Sequence, residues 1–140
     1  MRAILVLDAN ILIRAILGVR VKDWLLTEQN RVHFVTTAVA LEEVREHLPA
    51  ILKTRGVEAA DFQDVLETLP ALVEVLPAEI YRGALPEALL RLTKQDVDDA
   101  HLLALALTLA CPIWSEDRDF FGVGVVTWRS GLIERFFAAL

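Results

Sequence analysis

The sequence predicts a three-layer α/β/α domain, helices on both faces of a central parallel sheet of four to five strands, formed by residues 1–140 as one unit. Three observations carry this prediction. Short apolar runs that stop at polar residues alternate with longer segments of helical period, and that alternation implies right-handed crossovers between parallel strands. The short runs are apolar at successive positions instead of every second one, as in strands covered on both faces. Hydrophobic residues are 55% of the 140 and mean hydropathy is +0.46, enough for a thick interior in a chain expected to bury roughly 70% of its unfolded surface.

Ala3 to Leu7 reads as a central strand ended by Asp8, and Ile11, Leu12, Ala15 and Ile16 then recur with helical spacing. A helix is expected from Val21 to Gln29 and a strand from Val32 to Thr36; Thr37 suits the cap of a helix running to about Lys53. A helical segment around Ala59 to Leu69 leads to a third strand, Leu72 to Leu76, ended by Pro77. Pro86 fits the first turn of a short helix through Leu92. From Asp98 to Ala110 the expected helix is apolar almost all round, and Cys111 to Ser115 is a strand that enters an acidic loop. A last strand at Val123 to Thr127 and a helix capped by Ser130 and reaching Ala139 complete the reading. No repeat, low-complexity tract or Pro/Gly/Ser linker divides the chain.

The longest apolar run, Leu102 to Trp114, is interrupted by Thr108 and Pro112 and falls short of the ~20 residues a membrane span needs. The apolar N-terminus meets Asp8, Asn10 and Arg14 with no small-residue cleavage site after it, so no export signal is expected. Cys111 is the single cysteine, which excludes an internal disulfide and reads as a small core residue of a cytoplasmic protein.

Net charge is −6, the wrong sign for a protein that relies on a basic footprint to meet a phosphate backbone. The excess is local. Asp96, Asp98 and Asp99 form one cluster and Glu116, Asp117 and Asp119 another, and without these six acids the chain is neutral. Ligands of open parallel sheets bind beyond the carboxyl ends of the strands. Asp8 terminates the first strand, Glu42 and Glu43 lie in the helix entered from the second, Asp99 stands in the first turn of the long apolar helix, and Asp117 lies just past the strand ending at Ser115.

Carboxylates brought together in a cleft repel each other, and a divalent cation removes the conflict. Oxygen ligands without His or Cys partners suit Mg²⁺ or Mn²⁺ better than zinc or copper, and such ions assist attack on phosphodiesters. Each acid also has a plain structural explanation. Asp8 or Asn10 suits a helix cap, Asp96 with Asp99 resembles a capping box, residues 115–119 read as a solvated loop, and Glu42, Glu43 and Glu46 form an ordinary polar helix face. Only their joint arrival at strand ends favours metal. Helical geometry leaves Glu42 and Glu43 equally placed beside the apolar stripe of Leu41, Val44, Leu48 and Leu52.

Leu7-Asp8-Ala9-Asn10-Ile11-Leu12, Leu41-Glu42-Glu43-Val44, Asp96-Val97-Asp98-Asp99-Ala100 and Ser115-Glu116-Asp117-Arg118-Asp119-Phe120 together resemble the PIN-domain family of metal-dependent ribonucleases, in its order and spacing and over almost the whole chain. The resemblance implies that Asp8, Glu43, Asp99 and Asp117 are the catalytic, metal-holding acids, and its Leu-x-Glu pattern selects Glu43 over Glu42. It matches Asp96 and Asp119 to often-acidic positions in an outer metal shell, Ser115 to a Thr or Ser, and Asn10 to a polar neighbour of the first acid. It further implies an RNA substrate, a Mg²⁺ or Mn²⁺ cofactor, a homodimer, and, in a VapC-like toxin branch, a small antitoxin partner.

Arg14 and Arg118 are candidate phosphate contacts, equally well read as exposed solubilising arginines; His33, His47 and His101 share no motif, and Trp24, Trp114 and Trp128 read as core or interface residues before base-stacking platforms. A haloacid-dehalogenase-like phosphatase would need an acid where Asn10 stands, and no Gly-rich phosphate loop is present. The alternative of another class is a catalytically weak PIN-like module that binds RNA or a protein partner.

Overall fold

A computed structural model describes residues 1–57 and 66–140. The order is β1 (Ala3–Leu7), α1 (Ala9–Leu17), α2 (Arg20–Glu28), β2 (Val32–Thr37), α3 (Ala38–Thr54), β3 (Glu74–Leu76), α4 (Leu85–Arg91), α5 (Val97–Leu109), β4 (Ile113–Trp114), β5 (Thr127–Trp128) and α6 (Ile133–Ala138), with short 3-10 turns between them. Among the described residues the strands form one five-stranded sheet in the order β3-β2-β1-β4-β5, every neighbouring pair parallel. Helices cover both faces, the three-layer arrangement read from the sequence.

β1 is central, with Leu5, Val6 and Leu7 fully buried. It pairs with β2 through Leu5 opposite Phe34 and with β4 through Leu7 opposite Trp114. The chain leaves β1 in one direction to build β2 and β3, then returns to the other side to build β4 and β5. The strand order therefore reverses between β1 and β4, and a crevice opens beyond their carboxyl ends. Buried side chains form one cluster. On one side Trp24 of α2 meets Trp114 at 5.9 Å, and Phe137 of α6 meets Trp114 at 6.1 Å and Phe34 at 6.5 Å, which makes Trp24 and Trp114 packing residues.

α5 is buried along Ala100 and Leu102 to Ala106, as expected of a helix apolar all round. It ends at Ala110, whose backbone is left-handed (φ 51°) and whose N–H bonds the carbonyls of Ala106 and Leu107. Thr37 caps α3 as expected, its hydroxyl accepting from Ala40 N at 2.9 Å.

Several boundaries differ from the sequence reading. β3 begins only at Glu74 and β4 is limited to Ile113–Trp114. β5 lies at Thr127–Trp128, not from Val123, because Gly122 and Gly124 take positive φ (81° and 84°) and turn the chain where a strand was expected. Ser130 does not cap the last helix: its hydroxyl accepts from Trp114 Nε1 at 3.1 Å and its N–H donates to Glu116 at 2.6 Å, while α6 starts three residues later with no side-chain cap. Most of the expected helix at 59–69 lies outside the described residues; within them, residues 66–68 are helical as expected and run into a 3-10 turn at Leu69–Ala71. No helix among the described residues is long and apolar enough to cross a membrane.

Two substitutions test this local accounting by urea unfolding. Thr37→Ala should lower stability by about 1 kcal/mol through loss of the cap. Ala110→Gly should raise it by about 1 kcal/mol, because glycine tolerates the left-handed conformation that alanine resists.

Candidate metal centre

Asp8 follows β1 with extended backbone and caps α1, Oδ1 accepting from Ala9 N at 2.7 Å. Its own N–H donates to Trp114 O at 3.1 Å, which ties the end of β1 to β4. Asp8 is 7% exposed. Its second oxygen accepts from the Ser115 hydroxyl at 2.6 Å and from Asn10 Nδ2 at 3.1 Å. Ser115 is fully buried, and its Oγ in turn accepts from Asp117 N at 2.9 Å. Asp117 Oδ1 then accepts from Asp119 N at 2.9 Å, and Asn10 Oδ1 from Glu116 N at 3.3 Å. The acidic loop that sequence reasoning could treat as merely solvated is thus folded back onto the start of α1 by short polar side chains, each satisfying a backbone N–H.

Two helix starts bring in the remaining acids. Thr36 Oγ1 donates to Leu7 O at 2.7 Å, fixing the end of β2 beside β1, and the capped α3 then carries Glu43 over the crevice. Asp96 caps α5, its Oδ1 accepting from Asp98 N at 2.9 Å and Asp99 N at 3.1 Å, which sets Asp99 in the first turn. Asp8, Asn10, Glu43, His47, Asp99 and Asp117 line one cavity of about 180 Å³. Carboxylate oxygens of Asp99, Asp117 and Asp119 lie within 4.8 Å of one another.

The structure therefore brings Asp8, Glu43, Asp99 and Asp117 together and adds Asp119 at the side, where Lys94 Nζ approaches it at 3.7 Å. Asp96 is exposed, is not among the residues lining the cavity, and acts as the helix cap. Glu42, undecided from helical geometry, is exposed and pairs with Arg45 at 2.6 Å. Arg14 pairs with Glu116 at 3.8 Å, and Arg118 is exposed. Sequence reasoning gave His47 no role. The signal was its position four residues after Glu43, which puts both on one helix face.

The proximity of the acids shows in their titration. Burial and then the charges of Asp117, Asp8, Asp96 and Asp119 push Asp99 up to about 8. Burial raises Asp8 despite the hydrogen bonds from Ser115 and Ala9, and burial followed by the charges of Asp8 and Asp98 raises Glu43, with His47 partly offsetting. Oxygen donors that resist ionisation until a cation arrives fit a hard divalent metal.

Comparison with known families matches residues 6–135 to the model of the PIN domain. The chain belongs to the PIN-domain family. PIN domains are nucleases that use divalent metals, and Asp99, Asp117 and Asp119 form a cluster of three acids in this chain. Among solved structures, PAE2754 from Pyrobaculum aerophilum is similar over 99% of this PIN domain and 91% of its own chain, at 15% identity and a TM-score of 0.68. VapBC2 from Rickettsia felis, solved with a DNA fragment from its promoter, is similar over 90% and 98% at 14% identity and a TM-score of 0.67. VapBC-1 from nontypeable Haemophilus influenzae is similar over 90% and 97% at 19% identity and a TM-score of 0.60. At these identities the likeness establishes the shared fold. No curated protein sequence matches the chain.

A raised carboxyl pKa has a defined sign in stability. Asp99 keeps its proton to about pH 8 in the folded chain, whereas the unfolded chain releases it near pH 4. Between these values the folded state binds more protons, so stability must fall as pH rises. In the presence of EDTA, the melting temperature should decline from pH 5 to pH 8, and Asp99→Asn should flatten that decline.

Proposed function

We propose that this PIN domain is a Mg²⁺- or Mn²⁺-dependent endoribonuclease, the toxin of a toxin–antitoxin pair. The observation that carries the reading is the convergence of Asp8, Glu43, Asp99 and Asp117 on one cavity at the strand-order reversal. Asp8, Asp99 and Asp117, with Asp119 at the side, are the residues to hold the cation, and Glu43 faces them from α3. When bound, the ion supplies Lewis acidity toward the phosphodiester and a more acidic water. The chain's own groups do the rest. Ser115 and Asn10 fix the Asp8 carboxylate in one orientation, Asp96 holds the turn that presents Asp99, and in this proposal Glu43, which lines the cavity and whose pKa is raised, orients the attacking water and accepts its proton.

One surface suits the rest of the proposal. The solved neighbours include a toxin–antitoxin complex from Klebsiella pneumoniae, which supports a small antitoxin partner here. A groove of about 560 Å³ between α1, α2 and α3 is floored by Leu17, Val21 and Ile51 and rimmed by Arg14, Arg20 and Arg55, a chemistry suited to an acidic amphipathic segment of such a partner. A homodimer in the cytoplasm completes the proposal.

Cleavage of single-stranded and structured RNA with Mn²⁺ or Mg²⁺ tests the activity. Asp8→Asn and Asp99→Asn should each lower kcat/KM by roughly a hundredfold or more, and EDTA should abolish cleavage. Activity that persists in both variants or ignores chelation overturns the reading. Mn²⁺ should raise the melting temperature of the wild type and not of Asp99→Asn.

A further inference from the structure

His47 is the one cavity-lining side chain, among the described residues, able to carry a positive charge. It is exposed on α3 one turn beyond Glu43. The other potential donors of the cavity are committed. Asn10 Nδ2 donates to Asp8 at 3.1 Å and Ser115 at 3.5 Å, and Ala9 N donates to Asp8. The nearest arginine along α1, Arg14, lines the neighbouring groove and pairs with Glu116. No hydrogen bond or ion pair engages the His47 ring among the described residues. Four carboxylates line the cavity, and a phosphodiester adds a fifth negative charge. With cations bound the carboxylates are ionised and donate nothing, so among the described residues a side-chain donor from the cavity wall to a phosphate oxygen falls to His47.

Resting on the nuclease reading above, we propose that His47 is a substrate-contacting residue: a ring N–H donates to a phosphate oxygen of the nucleic acid in the cavity that His47 lines together with Asp8, Asp99 and Asp117. The contact holds the phosphodiester toward α3 and so toward Glu43. His47 is not one of the metal-holding acids, and its exposure means that its replacement leaves the core intact.

Kinetics on RNA with Mn²⁺, comparing wild type, His47→Ala, His47→Gln and Asp99→Asn, test the assignment. His47→Ala should lower kcat/KM about tenfold to a hundredfold. His47→Gln should restore most of that loss, because its amide retains an N–H donor. Both should keep the wild-type melting temperature and its rise with Mn²⁺, whereas Asp99→Asn loses that rise. Wild-type kcat/KM in His47→Ala overturns the proposal while leaving the nuclease reading intact, provided Asp99→Asn is inactive. Loss of the Mn²⁺-dependent rise in His47→Ala overturns it by making His47 a metal ligand, and Gln as impaired as Ala overturns the donor role. A wild type that cleaves no RNA with Mn²⁺ overturns both readings.

Discussion

The hydrogen bond from the Ser115 hydroxyl to Asp8 Oδ2, 2.6 Å between residues 107 positions apart, joins the ends of two neighbouring strands at the point where the sheet reverses its order. Around it the remaining polar contacts assemble. Asp8 caps α1 with its other oxygen, Asn10 reaches across to Glu116, and Ser115 receives Asp117 N. A buried carboxylate left without such donors would face a desolvation cost of several kcal/mol. Fully bonded, it can remain in the sheet's interior and still present an oxygen to the cavity.

The site concentrates charge of one sign, and its pKa shifts measure the conflict. Asp99, pushed up to about 8, sits in the first turn of a helix whose following residues are buried among the core, so it has little freedom to swing away from Asp117 and Asp119. Favourable features occupy the same place. Asp8 and Asp96 each cap a helix, so positive helix ends face the acids and soften their repulsion. Of the two explanations set against each other when only the sequence is considered, the structure shows the capping one for Asp8, which also lines the acidic cavity. For Asp96 the geometry shows the capping one.

The three-layer fold was legible because parallel strands covered on both faces leave continuous apolar runs, and Ala3 to Leu7 and Val32 to Thr37 are such runs. The acids were legible as strand-end residues. Two kinds of information were not. Ladder pairing, which limits β4 to two residues and moves β5 past Gly124, depends on neighbours distant in sequence. The roles of short polar residues depend on what lies across the crevice: Ser130 offers a good helix cap in sequence and instead serves Trp114 and Glu116. His47 was hidden because no motif marks it, though its spacing from Glu43 carried the information. Glu42 and Glu43 were separable by resemblance, and in the structure they differ by exposure.

The outermost strands of the sheet are β3, three residues long, and β5, only two. Edges so short expose few unpaired backbone groups, and a long flat edge is what another chain's strand would need in order to add on. Growth of the sheet by strand addition is therefore disfavoured at both margins, which protects a chain of high apolar content from edge-to-edge aggregation. The same geometry favours association through helical faces and loops, where side chains rather than main-chain ladders decide what is accepted.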